Sequence, residues 1–230
     1  LPISSIENPD MHFRSAITGF SLLFLFSFGA ATLAEPIEDE QYQRVEPPVA
    51  TETGDQVEVL ELFWYGCPHC YHLEPALTPW VASLPEGVKF RRMPAVFGNP
   101  LWALHARAFY TAEALGVLDQ LHEPLFDTIN NQKNALKDEA AIGQLFAQHG
   151  VDPAKFSSTF NSFFVDTKVR RAKALSKAYG ISGVPALVIN GEYRTGGPAA
   201  GGQEEMLQVA DYLIARELDA NRPAAAASAD

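Results

Sequence analysis

Residues 56–65 read Gln-Val-Glu-Val-Leu-Glu-Leu-Phe-Trp-Tyr, a β-branched and aromatic run that predicts a buried strand. From Cys70 to Leu84 the apolar residues fall at helical spacing, with Pro75 and Pro79 expected to bend the helix. A second strand is predicted over Val88–Pro94. Helical patterns then fill Leu101–Leu115, Asp119–Asn130, Asp138–His149 and Pro153–Tyr179, punctuated by Gly116, Asn131 and Gly150. Strand character resumes at Ala186-Leu187-Val188-Ile189, and Asn190-Gly191 predicts a tight hairpin turn into Glu192–Thr195. A last amphipathic helix covers Gln203–Leu218. No internal repeat is apparent. This order suits an α/β fold: a small sheet interrupted by an all-helical insertion.

Ahead of that pattern lies a segment of another kind. Met11-His12-Phe13-Arg14 supplies a start-like residue and a positive charge, and an uncharged apolar run follows from Ser15 to Ala34. The small residues Gly29, Ala30, Ala31 and Ala34 then precede Glu35. Basic, apolar and small in that order predict a secretory signal peptide cleaved after Ala34 or Ala31, with Leu1–Asp10 upstream of the start. An uncleaved membrane anchor is the alternative, since the run is long enough to span a bilayer. Either way Arg14 stays inside and the remainder is exported, to a compartment that tolerates disulfides.

The chain has the composition of a protein with a real core, at 47% hydrophobic and 20% charged residues. A formal net charge of -11 argues against a nucleic-acid partner, which rewards clustered Lys and Arg. Asn221–Asp230 is Ala-rich and reads as a disordered tail.

The chain has two cysteines, Cys67 and Cys70, in the run Phe63-Trp64-Tyr65-Gly66-Cys67-Pro68-His69-Cys70. A structural bridge, a metal site and a redox pair are the three readings. Closing so short a loop yields only about 2 kcal/mol in the chain-entropy model, against roughly 4.7 for a hundred-residue loop. A structural zinc needs four ligands, usually from two distant pairs, and only His69 and His72 stand nearby. The pattern therefore favours redox chemistry and no metal. Pro68 suits the first turn of a helix, which puts Cys67 where a strand meets a helix N-terminus. Unpaired N–H groups and the helix dipole there favour a thiolate, lowering the Cys67 pKa; His69, if protonated, adds to this. As a solvated turn residue it would not. Cys70, one turn in, is expected to be shielded.

Strand alternation puts Glu61 on the face shared by Val59 and Phe63, so it is expected either buried beneath the cysteines or, like Glu58, as a solvated strand charge. If buried, its raised pKa would let it exchange protons with Cys70. Arg92 is a candidate partner for it. His105, His122 and His149 fall on predicted helices away from any cysteine or carboxylate cluster and read as surface or packing residues.

Cys67-Pro68-His69-Cys70 followed by Tyr71 resembles the active site of the DsbA family of bacterial periplasmic oxidases. Val59-Leu60-Glu61, Leu84-Pro85-Glu86-Gly87-Val88 and Gly183-Val184-Pro185-Ala186 extend the similarity from about Tyr42 to Leu218. The resemblance implies a thioredoxin-like fold with an inserted all-helical domain: residues 35–97 and 180–220 for the thioredoxin part, 98–179 for the insertion. It implies a dithiol oxidase that donates its Cys67–Cys70 disulfide to reduced exported proteins and needs no cofactor beyond that disulfide. A quinone-linked membrane protein would reoxidise it. It further implies a cis bond between Val184 and Pro185 facing the cysteines, leaving the Val184 backbone to pair with extended substrate. The family usually has Lys where this chain has Arg92.

A reductase or isomerase on the same fold is the near alternative. Isomerases of this type carry an added dimerisation domain, for which Glu35–Gln56 is too short, and a monomer is expected. A peptide-binding chaperone with incidental cysteines is the distant alternative; it predicts that Cys67→Ser leaves function intact.

Overall fold

The computed structural model describes residues 1–2 and 35–221; the leader read over residues 1–34 and the tail beyond residue 221 lie outside them, apart from the first two residues. In chain order the elements are β1 (Gln43–Arg44), β2 (Val57–Phe63), α1 (Pro68–Ala82), β3 (Val88–Pro94), α2 (Pro100–Ala114), α3 (Leu118–Asn130), α4 (Glu139–Gln148), α5 (Pro153–Phe160) and α6 (Phe163–Ala178). They continue with β4 (Ala186–Ile189), β5 (Tyr193–Gly196), α7 (Gly197–Ala200) and α8 (Gln203–Ala220). The sheet order is β1-β5-β4-β2-β3, with β2 and β3 parallel and the other pairs antiparallel.

β2 lies between two hydrogen-bonded neighbours, and every one of its residues is buried. That explains its nearly continuous apolar sequence, because a strand covered on both faces has no solvent side to make polar. Val57 and Val59 pack with Leu73 and Leu77 of α1 and with Met206, Ala210 and Leu213 of α8. Leu60 and Leu62 point the other way, into a cluster with Phe109, Leu125, Phe146 and Val169 from the helices between β3 and β4. One sheet thus carries a helical layer on each face, the arrangement that the resemblance implies.

Three local differences from the sequence reading have physical causes. The predicted helix over Pro153–Tyr179 is two helices, because Asn161 ends α5 and the Ser162 side chain accepts from Val165 N to start α6. The hairpin loop has three residues, since Ile189 pairs with Tyr193. Asn190 and Gly191 both take positive φ, 51° and 68°, and a Cβ on Gly191 would strike the Val49 carbonyl. β1 and α7 were not predicted; two and four residues are too few to show a period. Despite Pro75 and Pro79, α1 is one continuous helix of 15 residues.

Candidate active site

The strand-to-helix turn after β2 brings Cys67 to the N-cap of α1 with extended backbone, φ -95° and ψ 112°, and Pro68 follows in the first turn. Helix N-caps are usually oxygen acceptors for orphan amides. Here sulfur takes that place, with Cys67 Sγ accepting from the Cys70 amide at 3.4 Å. Both cysteines are free thiols, Cys67 8% exposed and Cys70 fully buried. Pro68 and His69 are exposed beside them, and the His69 carbonyl accepts from Gln203 Nε2 of α8 at 2.5 Å.

These positions separate the two sulfurs. A hydrogen bond from the Cys70 thiol, backed by the Cys70 and His69 amides and by the charge of His69, outweighs burial and lowers the Cys67 pKa to about 6. Burial, with the neighbouring Cys67, pushes the Cys70 thiol far up. The anion is therefore favoured on Cys67 and the proton on Cys70.

Glu61 is fully buried, which removes the solvated alternative. Its Oε2 receives Arg92 Nε of β3 at 3.0 Å, while its Oε1 is buried with no hydrogen-bond partner. Burial, and then the charge of Glu74, raise its pKa to about 8 against the pull of Arg92. Its charge is felt at Cys70, raising that thiol further. Glu58, on the opposite face of β2, is also buried and pairs with Arg91 at 2.8 Å. Phe63 shares strand parity with Glu61, yet at the strand end it packs among Phe109, His122 and Phe126.

Sequence reasoning missed the rest of this polar group. Arg92 Nη2 also holds Glu74 Oε2 at 3.0 Å, and Glu74 Oε1 lies 3.4 Å from His122 Nε2. The other ring nitrogen, Nδ1, is 2.9 Å from the Tyr65 hydroxyl. His122 is therefore part of a carboxylate cluster, not a packing residue; the sequence had no sign that α3 folds over α1 at that point. Glu74 left a local sign, because residues four apart on α1 share a face and Cys70 is four back. His105 is buried with Nε2 3.1 Å from the Ala135 carbonyl, and half-buried His149 is the C-cap of α4.

On the other side of the cysteines the loop before β4 has a cis Val184–Pro185 bond. Pro185 is buried, Val184 is half-buried, and the Val184 carbonyl is 3.4 Å from Cys67 Sγ. A largely apolar groove of about 260 Å³ runs along this loop, lined by Tyr42, Ile181, Val184, Pro185 and Pro198 among others. The Tyr179 and Gly180 carbonyls at its start both accept from Arg194 of β5.

This arrangement has close counterparts. The DSBA-like thioredoxin domain family matches residues 86–213. The thiol:disulfide interchange protein DsbA of Azotobacter vinelandii is 42% identical over 213 residues, which covers 90% of this chain and 99% of that protein. A crystal structure of Pseudomonas aeruginosa DsbA aligns with TM-score 0.78 and 41% identity over 82% of this chain and 97% of its own. The oxidoreductase DsbA from Xylella fastidiosa aligns with TM-score 0.76 and 31% identity, covering 81% of this chain and 100% of its own. With one sulfur held ready as an anion at a helix start, its partner buried, and similarity over nearly their whole length to these proteins, the chain belongs to the DsbA family.

Proposed function

We propose that this thiol:disulfide oxidoreductase works as a dithiol oxidase, donating the Cys67–Cys70 disulfide to reduced exported proteins. A substrate thiolate attacks the Cys67 sulfur. The Cys67–Cys70 bond breaks, and Cys70 leaves with the electron pair and takes a proton from Glu61. A second substrate thiolate attacks the substrate sulfur of the mixed disulfide, and Cys67 departs as a thiolate. The substrate loses two electrons and gains a disulfide; the enzyme gains two electrons as one thiolate and one thiol. Glu61 regains its proton from water.

In this reading Cys67 is the attacked sulfur and Cys70 the leaving one. Pro68 starts the helix whose amides stabilise the thiolate, and His69 adds its charge when protonated. The Val184 backbone, presented beside Pro185, pairs with extended substrate, so recognition tolerates many sequences. The disulfide carries both electrons, and no separate cofactor is needed. A quinone-linked membrane protein accepts them and restores the disulfide. The chain acts as a monomer in the periplasm, delivered there by the leader read over residues 1–34.

The observation that carries the direction of transfer is the unequal setting of the two sulfurs: Cys67 caps α1 and accepts from the Cys70 amide, which lowers its pKa to about 6, while Cys70 is fully buried. A thiolate this stable leaves easily and favours the reduced enzyme, so disulfides are pushed outward. The test is Cys70→Ser, whose Cys67 thiolate can still exchange with a disulfide of an exported protein, releasing one substrate thiolate, but has no neighbouring thiol to free it from the mixed disulfide. Exported proteins are expected to accumulate on Cys67, released by reductant. A folded variant that captures none would overturn the reading.

A further inference from the structure

Two carboxylates beneath the cysteines share one cation. Arg92 gives Nε to Glu61 and Nη2 to Glu74, each at 3.0 Å. Two anions on one guanidinium in a poorly solvated site repel each other, and such pairs keep a single proton between them. Its location matters, because the charge of Glu61 reaches Cys70, whereas Glu74 opens onto a groove of about 410 Å³ between α1 and α3, lined also by Tyr71, His72, Glu123 and Phe126.

The geometry around His122 decides that location. A carboxylate only accepts, so the Nε2 that faces Glu74 Oε1 carries the hydrogen. In the neutral ring Nδ1 is then an acceptor, and the Tyr65 hydroxyl at 2.9 Å donates to it. The rings of Phe63, Phe109 and Phe126, with centroids 5.3, 6.4 and 5.2 Å from the imidazole, enclose it and disfavour its charged form. The Glu74 carboxylate thus sets the tautomer and the Tyr65 hydroxyl matches it, and the tautomer supplies Glu74 with a second donor beside Arg92. Glu61 Oε1 has no donor at all.

We infer that His122 is a positioning residue for proton exchange at Cys70: by donating to Glu74 it keeps that carboxylate charged and assigns the shared proton to Glu61. The groups facing this cluster are Glu61 and Tyr65 from β2 and the turn after it, Arg92 from β3, Cys70 and Glu74 from α1, and Asp119 with His122 from α3. Their directions agree with the assignment: Glu61 is raised by burial and by Glu74, and Glu74 is lowered by His122 and Arg92 despite its own burial.

The inference rests on Glu61 as the proton partner of Cys70, and its test is separable from that reading. Carboxyl carbons of Glu61 and Glu74 are titrated individually by NMR in wild type, His122→Leu and His122→Gln. A charge-assisted hydrogen bond is worth about tenfold in an equilibrium. In His122→Leu the proton affinity of Glu74 is expected to rise about tenfold, which narrows the preference of the shared proton for Glu61 by the same factor. His122→Gln, whose amide can still donate, should restore both curves. Where His122→Leu does not fold, Tyr65→Phe, which removes the donor that matches this tautomer, should move Glu74 the same way by less. Unchanged Glu61 and Glu74 titrations in a folded variant would overturn the inference. A shifted Glu74 titration alongside a Glu61→Gln variant whose disulfide is reduced at the wild-type rate would uphold the contact of His122 and overturn the role of Glu61.

Discussion

Moving a carboxylate out of water costs several kcal/mol unless its oxygens are paired, and Glu61 pairs one of two. The protonated form avoids most of that cost. Its folded pKa, about 8, stands above the ordinary carboxylate value, so the folded protein holds a proton that the unfolded chain releases. Stability from this group is therefore complete below about pH 4.5 and is lost as pH rises to about 8. Glu61→Gln cannot ionise. We expect it to flatten the decline in unfolding free energy over that window by roughly 2–4 kcal/mol, measured by chemical denaturation at a series of pH values. It should also slow reduction of the disulfide by a model thiol at fixed pH, because Cys70 loses its proton donor. Both effects belong to one residue. A rate equal to wild type would return Glu61 to a purely structural role.

At the level of elements, helix starts do much of the positioning. The cap of α1 is the reactive sulfur itself, so the orphan amides that would otherwise bond water or a hydroxyl are turned on Cys67. The cap of α6 is conventional: Ser162 accepts from Val165 N at 3.2 Å and divides α5 from α6. Ser162→Ala is expected to cost about 1 kcal/mol, seen as a lower denaturation midpoint with an unchanged slope. The reactivity of Cys67 should stay as it is, since α6 reaches the site only through the loop it leads into. Asn161-Ser162 is where period alone misleads: Phe163 and Phe164 follow Phe160 at helical spacing and carry the apolar pattern through the break, yet both are exposed and the buried face of α6 starts afresh at Val165. The Asn190-Gly191 turn was legible outright, because few residues accept positive φ.

For the molecule as a whole, redox state and stability are linked through Cys67. The oxidised protein has no thiol to titrate, whereas the reduced one gains stability as pH rises above about 6, the folded Cys67 value, towards the ordinary thiol range near 9.0. That gain is lost as pH falls through about 6. Contributions from Glu61 and the other carboxylates enter both redox forms and largely cancel in the difference. The unfolding free energy of the reduced protein minus that of the oxidised protein is expected to rise from near zero change below pH 5.5 to about 3 kcal/mol of gain near pH 8.5. Paired denaturation curves measure it, and a flat difference would remove the stabilised thiolate.

The strands, most helix cores and the cysteine turn were readable from the chain because each depends on neighbours within a few residues: alternation, helical spacing, a proline after Cys67, a turn dipeptide. Glu61 was readable as a candidate but not as a buried group, since one strand cannot say which of its faces is covered. Glu74, His122 and Tyr65 became a cluster only when α3 closed over α1 and β2, joining residues 48 and 57 positions apart. Hydrogen-bond partners at such separations leave no local pattern, so the sulfur chemistry was written in sequence while the proton's address was decided by packing.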